Sequence, residues 1–130
     1  MSISTAEARE LLGLKVKEKK RSKYGAVKTK VDGITFDSKA EAARYELNKI
    51  RIATGELSYQ LLQVPFTLPA NVKYRCDFLE VYSDGTLDYV DVKGMVTPTF
   101  KLKKKQVEAL YPVEIHCVKL SRNNFIDVDI

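Results

Sequence analysis

Arg75-Cys76-Asp77-Phe78-Leu79-Glu80-Val81-Tyr82, then Ser83-Asp84-Gly85, then Thr86-Leu87-Asp88-Tyr89-Val90-Asp91-Val92-Lys93-Gly94 is the stretch that decides how this chain folds. It reads as one β-hairpin, and the turn sets its register. Side chains alternate faces along a strand, so a slip of one residue inverts every one of them. A three-residue loop at Ser83-Asp84-Gly85, a type I turn closed by glycine in the left-handed conformation, pairs Tyr82 with Thr86. Asp77 then falls opposite Asp91, with β-carbons roughly 5 Å apart, and Lys93 lies on the same face two residues on. A two-residue turn at Asp84-Gly85 would place Asp77 opposite Val92 instead. The three-residue loop is the reading adopted.

Around this hairpin, 130 residues with 45% hydrophobic and 30% charged side chains describe one globular domain with a modest core. The net charge of +5 is local. Lys15 to Lys30 holds eight basic residues and one acid, while the rest of the chain sums to −2. A block of that kind, containing Tyr24, suits a polyanion, or else is simply a solvated arm. Cys76 and Cys117 lie in apolar runs without a CxxC or a histidine partner, which suggests buried thiols rather than zinc ligands or a disulfide. With no apolar run near the length of a membrane span and no signal-peptide core, a soluble, cytoplasmic protein is expected.

Ser4-x-x-Glu7 before Ala8, Leu11 and Leu12, with Gly13 as a stop, predicts a short N-terminal helix within residues 1–14. Residues 15–36 follow as the basic segment and a hairpin turning at Asp32-Gly33. The remaining 37–130 form the expected core. A helix from Ser38 to about Thr54 shows Ala40, Ala43, Leu47 and Ile50 as its apolar face and Lys39, Arg44, Lys49 and Arg51 on the other. Strands are expected at Leu61–Leu68, Tyr74–Tyr82 and Leu87–Lys93. Pro98 opens a second helix to Leu110, with Phe100, Val107 and Leu110 apolar and Lys101, Lys103, Lys104 and Lys105 on its early turns. Val113–Leu120 reads as the last strand, and Arg122–Ile130 gives no assignable element. The core order is helix, three strands, helix, strand.

Two aspartates meeting beside a lysine suit phosphodiester hydrolysis, which needs an activated water, neutralised phosphate charge and help for the leaving oxyanion. Mg²⁺ takes hard oxygen ligands and commonly one or two protein carboxylates. Asp77 and Asp91 fit that role, with the Val92 carbonyl near the same ion and Lys93 as the cation that stabilises the transition state. The bland alternative is that both aspartates only end strands; like charges directly opposite in a hairpin then need some other cation. Glu41 offers a third carboxylate, although Ser38-x-x-Glu41 also fits a capping box that explains both residues. Gln63 either supports the site or hydrogen-bonds locally. The lone His116 has no companion in sequence and receives no role.

Taken in order, Gly33-Ile34-Thr35-Phe36-Asp37-Ser38-Lys39-Ala40-Glu41, Leu62-Gln63-Val64-Pro65-Phe66, Asp77-Phe78 and Asp91-Val92-Lys93-Gly94 resemble the PD-(D/E)XK nuclease superfamily, the restriction-endonuclease-like fold. The likeness covers about Phe36 to Val118. More narrowly, the chain is similar to a phage-borne family of uncharacterised nuclease-like proteins, and its signals to phage junction resolvases and the cutting subunit of Tn7-type transposases. The resemblance implies an α/β fold with an αβββαβ core and mixed sheet. It also implies Asp77 and Asp91 as ligands of Mg²⁺ or Mn²⁺, Lys93 as the catalytic lysine and Glu41 as a helix-borne acid completing the catalytic and metal set, with Ser38 and Gln63 in support. Cys76 stands where many members carry proline, and Asp91 where glutamate is commoner; members tolerate both.

The expectation is therefore a metal-dependent DNA endonuclease acting on branched, Holliday-junction-like DNA in phage recombination or replication, in the bacterial host cytoplasm. Lys19, Lys20, Arg21, Lys23, Lys28, Lys101, Lys103 and Lys104 are the expected DNA contacts. A homodimer is expected because a resolvase cuts two strands, with a recombination protein as a further partner. Two alternatives stay open: a non-catalytic DNA-binding module, and a nicking subunit of a recombinase or transposition complex. The basic segment suits all three.

Overall fold

The structure, a computed structural model, describes residues 27–130. The expected N-terminal helix, and Lys19, Lys20, Arg21 and Lys23, lie outside the described residues. A boundary between two units falls between Lys39 and Ala40. In the first, β1 (Thr29–Val31) and β2 (Ile34–Phe36) pair antiparallel through Asp32-Gly33, whose φ angles of 52° and 78° are those of the tight hairpin turn this dipeptide favours. Lys28, just before it, is exposed.

The second unit holds all but the first residue of α1 (Lys39–Ala53), then β3 (Leu57–Leu68), β4 (Val72–Tyr82), β5 (Leu87–Val92), α2 (Pro98–Leu110), β6 (Ile115–Ser121) and β7 (Asn124–Asp127). The helix, three-strand, helix, strand order is the expected one. The five strands form one mixed sheet in chain order, antiparallel except where β6 runs parallel to β5 after the α2 crossover. Strand β7 occupies the tail that gave no assignable element. Its pairing places Leu120 opposite Phe125, and a four-residue strand whose two apolar residues, Phe125 and Ile126, are adjacent shows no alternation to be read from sequence.

One face of the sheet is packed by α2. Thr97 caps that helix by accepting the Phe100 N–H at 3.1 Å, and Pro98 starts it. Phe100 and Val107 thereby point into a cluster with Phe66, Leu68, Tyr74, Cys76, Ile115 and Cys117. Each large apolar side chain buried there contributes about 1.5–3 kcal/mol. Leu110, expected in the apolar stripe, is instead exposed as the last residue of the helix.

Helix α1 docks by a different chemistry. Its buried residues are Glu41, Ala42, Arg44 and Asn48, while Ile50 is 62% exposed. The expected apolar face at Ala40, Ala43, Leu47 and Ile50 is thus corrected. The reason is Glu80, fully buried on β4: Arg44 grips it with two bonds of 2.7 and 2.8 Å, Asn48 donates at 2.8 Å and Arg51 at 2.9 Å. Arg44 also stacks over the Phe125 ring at 5.0 Å, tying β7 to the same helix. Burial pushes the Glu80 carboxyl up, but the hydrogen bonds and charge of Arg44, with Asn48 and Arg51, outweigh it and hold Glu80 below its ordinary range.

The pleat of the sheet reverses near the middle of β4. Tyr89 sits opposite Leu79 and packs its ring 5.5 Å from Phe66, in the cluster that also holds Tyr74 and Cys76. Residues 74, 76 and 79 cannot share a face in an unbroken strand. The break coincides with Gln63, which has a left-handed φ of 52°, and the ladder keeps Leu62 with Phe78 and Val64 with Cys76 while losing the pair between them. Glu80, one residue beyond Leu79, faces the other way. Helices α1 and α2 therefore cover opposite faces.

Candidate functional site

The hairpin turn has the three-residue form. Tyr82 and Thr86 pair, with the Tyr82 N–H donating to the Thr86 carbonyl at 2.8 Å and the Gly85 N–H to the Tyr82 carbonyl at 2.9 Å. Gly85 is left-handed at φ 91°, and Asp84 Oδ1 accepts from the Thr86 N–H and hydroxyl at 2.9 and 2.7 Å. The ladder runs from Val81 with Leu87 to Phe78 with Val90; just past its end the carboxyl groups of Asp77 and Asp91 meet side chain to side chain.

Both carboxylates are buried. Asp77 Oδ2 accepts the Val92 N–H at 2.9 Å, and Oδ1 accepts the Gln63 amide at 3.3 Å. Asp91 Oδ2 accepts the Tyr74 hydroxyl, while Oδ1 lies 3.0 Å from Lys93 Nζ yet receives no hydrogen bond of good geometry. Lys93 rests its ammonium 4.3 Å above the Phe100 ring, so the cap that starts α2 also seats the lysine. Val92 enters through its amide, donated to Asp77.

Burial, the Asp91 carboxylate and then Glu41 push the Asp77 carboxyl up to about 9. Burial pulls the Lys93 ammonium down, but Asp91, Asp77 and Glu41 outweigh it and hold the group above the ordinary lysine value, so it is charged. Burial and Asp91 drive the Tyr74 phenol far up, which keeps it a donor. The same two causes raise the thiols, Cys117 to about 11, so both buried cysteines are unreactive.

Glu41 is buried in the first turn of α1 and its charge is felt at Asp77 and Lys93. It does not complete a ready-made ligand cluster: among the described residues no three histidine, cysteine, aspartate or glutamate side chains stand close enough to hold a metal ion. It comes from a helix anchored elsewhere, by Arg44 and Asn48, whereas the aspartates share one hairpin. The pair by itself fits a divalent cation. Two adjoining buried carboxylates with one proton held far above the ordinary range are the signs of concentrated negative charge that Lys93 balances only in part, and two carboxylates are a common protein share for Mg²⁺.

The expected phosphate-binding lysines separate. Lys101 and Lys105 are exposed, Lys103 donates to the Lys73 carbonyl at 3.4 Å, and Lys104 is held by Glu108 at 3.0 and 3.1 Å. Glu108 in turn accepts the Ile115 N–H at 2.8 Å, so Lys104 belongs to the packing of α2 on β6. Ser38 lies in the first unit, half-buried. His116, given no role from sequence, sits between Asp88 Oδ2 at 3.1 Å and Asp127 Oδ1 at 2.6 Å. Its partners come from β5 and β7, distant in sequence on both sides.

Fold and site together define a mixed α/β protein with a buried aspartate pair and a charged lysine at one strand end. Over residues 21–123 the chain matches the family described as protein of unknown function (DUF1064), and it belongs to that family. No curated protein and no solved structure matches it. Among the described residues no helix is long and apolar enough to cross a membrane.

Proposed function

We propose that the chain is a metal-dependent endonuclease that hydrolyses phosphodiester bonds in DNA, with a restriction-endonuclease-like core of the PD-(D/E)XK kind and branched DNA as its substrate. The observation that carries this reading is the junction of Asp77, Asp91 and Lys93 Nζ, with Asp91 Oδ1 3.0 Å from the ammonium and short of hydrogen bonds. Burying two carboxylates side by side is costly. The order α1, β3, β4, β5, α2, β6 and the mixed sheet support the same reading.

In this reading Asp77 and Asp91 hold Mg²⁺ or Mn²⁺. The ion, when bound, neutralises phosphate charge and eases deprotonation of the attacking water. Gln63, Val92 and Tyr74 fix the carboxylates, each occupying one oxygen so that the remaining lone pairs are directed. Lys93, seated on Phe100, presents a permanent cation where charge develops on the scissile phosphate; removing such a group costs about 10²–10³ in rate. Glu41 adds negative potential that favours cation entry. Exposed Lys28, Lys101 and Lys105 supply phosphate contacts.

The test is cleavage of four-way junction, flap, linear duplex and single-stranded DNA in Mg²⁺ or Mn²⁺, with chelator controls, by wild type, Asp77→Ala and Lys93→Ala. Cleavage by wild type alone, strongest on the junction, is expected. Tight DNA binding without cleavage under either metal would favour the binding-module alternative.

A further inference from the structure

The longest strand among the described residues is also an edge. Among the described residues β3 has β4 on one side and no strand on the other, and its twelve residues, Leu57-Ser58-Tyr59-Gln60-Leu61-Leu62-Gln63-Val64-Pro65-Phe66-Thr67-Leu68, include no charge in a chain that is 30% charged. Edges of this kind are templates for pairing, and proteins that keep them free blunt them with charge, proline or distortion. The opposite edge is so protected: β7 has four residues, one of them Asp127. The C-terminal half of β3 is protected as well. Pro65 has no N–H to donate, Gln63 is left-handed, and the Thr67 carbonyl accepts the Tyr111 hydroxyl at 2.8 Å. Between the irregularity at Leu57/Tyr59 and the left-handed Gln63 the strand has none of these devices, and there Tyr59 and Leu61 are 50% and 48% exposed on one face.

We infer that Ser58–Leu62 of β3 pairs antiparallel with the same segment of a second copy of this chain, about a two-fold axis at Gln60. The argument for a copy rather than another partner is self-complementarity. A two-fold interface sets each residue i against j and j against i, so an uncharged segment meets no like charge. An axis at Gln60 sets Tyr59 of each copy opposite Leu61 of the other, an aromatic–aliphatic pair of the kind that stabilises neighbouring strands by roughly 0.2–1 kcal/mol. Pairing about a residue also keeps the faces of the two sheets aligned, since opposed residues share parity. The irregularity between Leu57 and Tyr59 and the left-handed Gln63 bound the segment at both ends. A contact this short buries less than a standard stable interface, so the dimer is concentration-dependent. The inference goes beyond the nuclease reading and does not depend on it.

Sedimentation equilibrium of the full chain over a concentration series tests it. Wild type is expected to dimerise, and Leu61→Lys, at an exposed position, to shift to monomer with an unchanged circular dichroism spectrum. Tyr59→Lys combined with Leu61→Glu should restore the dimer, because each lysine then faces the other copy's glutamate. Independently, Tyr59→Cys with Leu61→Cys should give a covalent dimer on mild oxidation, the native thiols being buried. A monomeric wild type, a dimer indifferent to Leu61→Lys, or failure of both the restored charge pair and the crosslink would overturn the inference.

Discussion

Gln63, at the step where the β3–β4 ladder loses a pair, has a left-handed backbone, φ 52°, and its side-chain amide lies 3.3 Å from Asp77 Oδ1. A non-glycine residue held there costs on the order of 1–3 kcal/mol. It occurs inside a strand, at the point where the pleat reverses, and its amide is one of two donors that fix the Asp77 carboxylate. A strained residue that orients a buried acid is a feature that collects at working sites, and it supports the proposed role of Asp77.

Glycine adopts this conformation at no steric cost, though it loses more chain entropy on folding. Because both substitutions remove the amide, Gln63→Gly should be more stable than Gln63→Ala in thermal unfolding. Both lose the amide, worth about 1.5 kcal/mol to a charged acceptor, so both should cleave DNA about tenfold more slowly. Unchanged cleavage in both would remove Gln63 from the site.

Stability should fall as pH rises. Asp77, raised to about 9, binds its proton more tightly folded than unfolded, so its contribution is full below about 4 and lost toward about 9. His116 acts in the same direction: burial lowers it, but Asp127 and Asp88 outweigh that and raise it above 6.5, so its contribution fades above that pH. Glu80, held below 4.5, adds stability that is lost on the acid side. Metal-free protein should thus unfold at its highest temperature in mildly acidic buffer, and Asp77→Asn should flatten the decline between pH 5 and about 9. Parallel declines for the two proteins would contradict the buried-pair assignment.

Arg44→Ala leaves Glu80 buried with only part of its compensation. Breaking a buried pair from one side costs about 3–5 kcal/mol, and chemical denaturation should show a loss near the lower figure because Arg51 and Asn48 remain. A loss below about 1 kcal/mol would mean that the network is wetter than its geometry suggests.

What was legible in the sequence was local. Asp84-Gly85 carries its own turn chemistry, so the register that joins Asp77 to Asp91 follows from a few neighbouring residues, and Thr97-Pro98 likewise announces α2. The buried face of α1 was not legible. Arg44 and Asn48 are buried because Glu80, 36 and 32 residues away, needs them, and helical periodicity of apolar residues is blind to a polar anchor. The same holds for His116, whose aspartates come from two other strands, and for Gln63, whose residue type gives no sign of a left-handed backbone.

Among the lysines, salt-dependent DNA binding should separate the exposed from the committed. Lys101→Ala and Lys105→Ala should each weaken binding and lower the salt slope by about 1. Lys104→Ala should leave the slope unchanged and reduce thermal stability, since Glu108 loses its partner. Equal effects on the slope from all three would show that Lys104 leaves Glu108 to meet phosphate.

Binding of Mn²⁺ to the wild-type chain, set beside Asp77→Asn and Asp91→Asn in calorimetric titration without DNA, tests most directly whether the aspartate pair is built to hold a divalent cation. Saturable binding by wild type that both substitutions abolish, with folding intact, is the expected result. No binding by wild type, or binding that survives both substitutions, would contradict it.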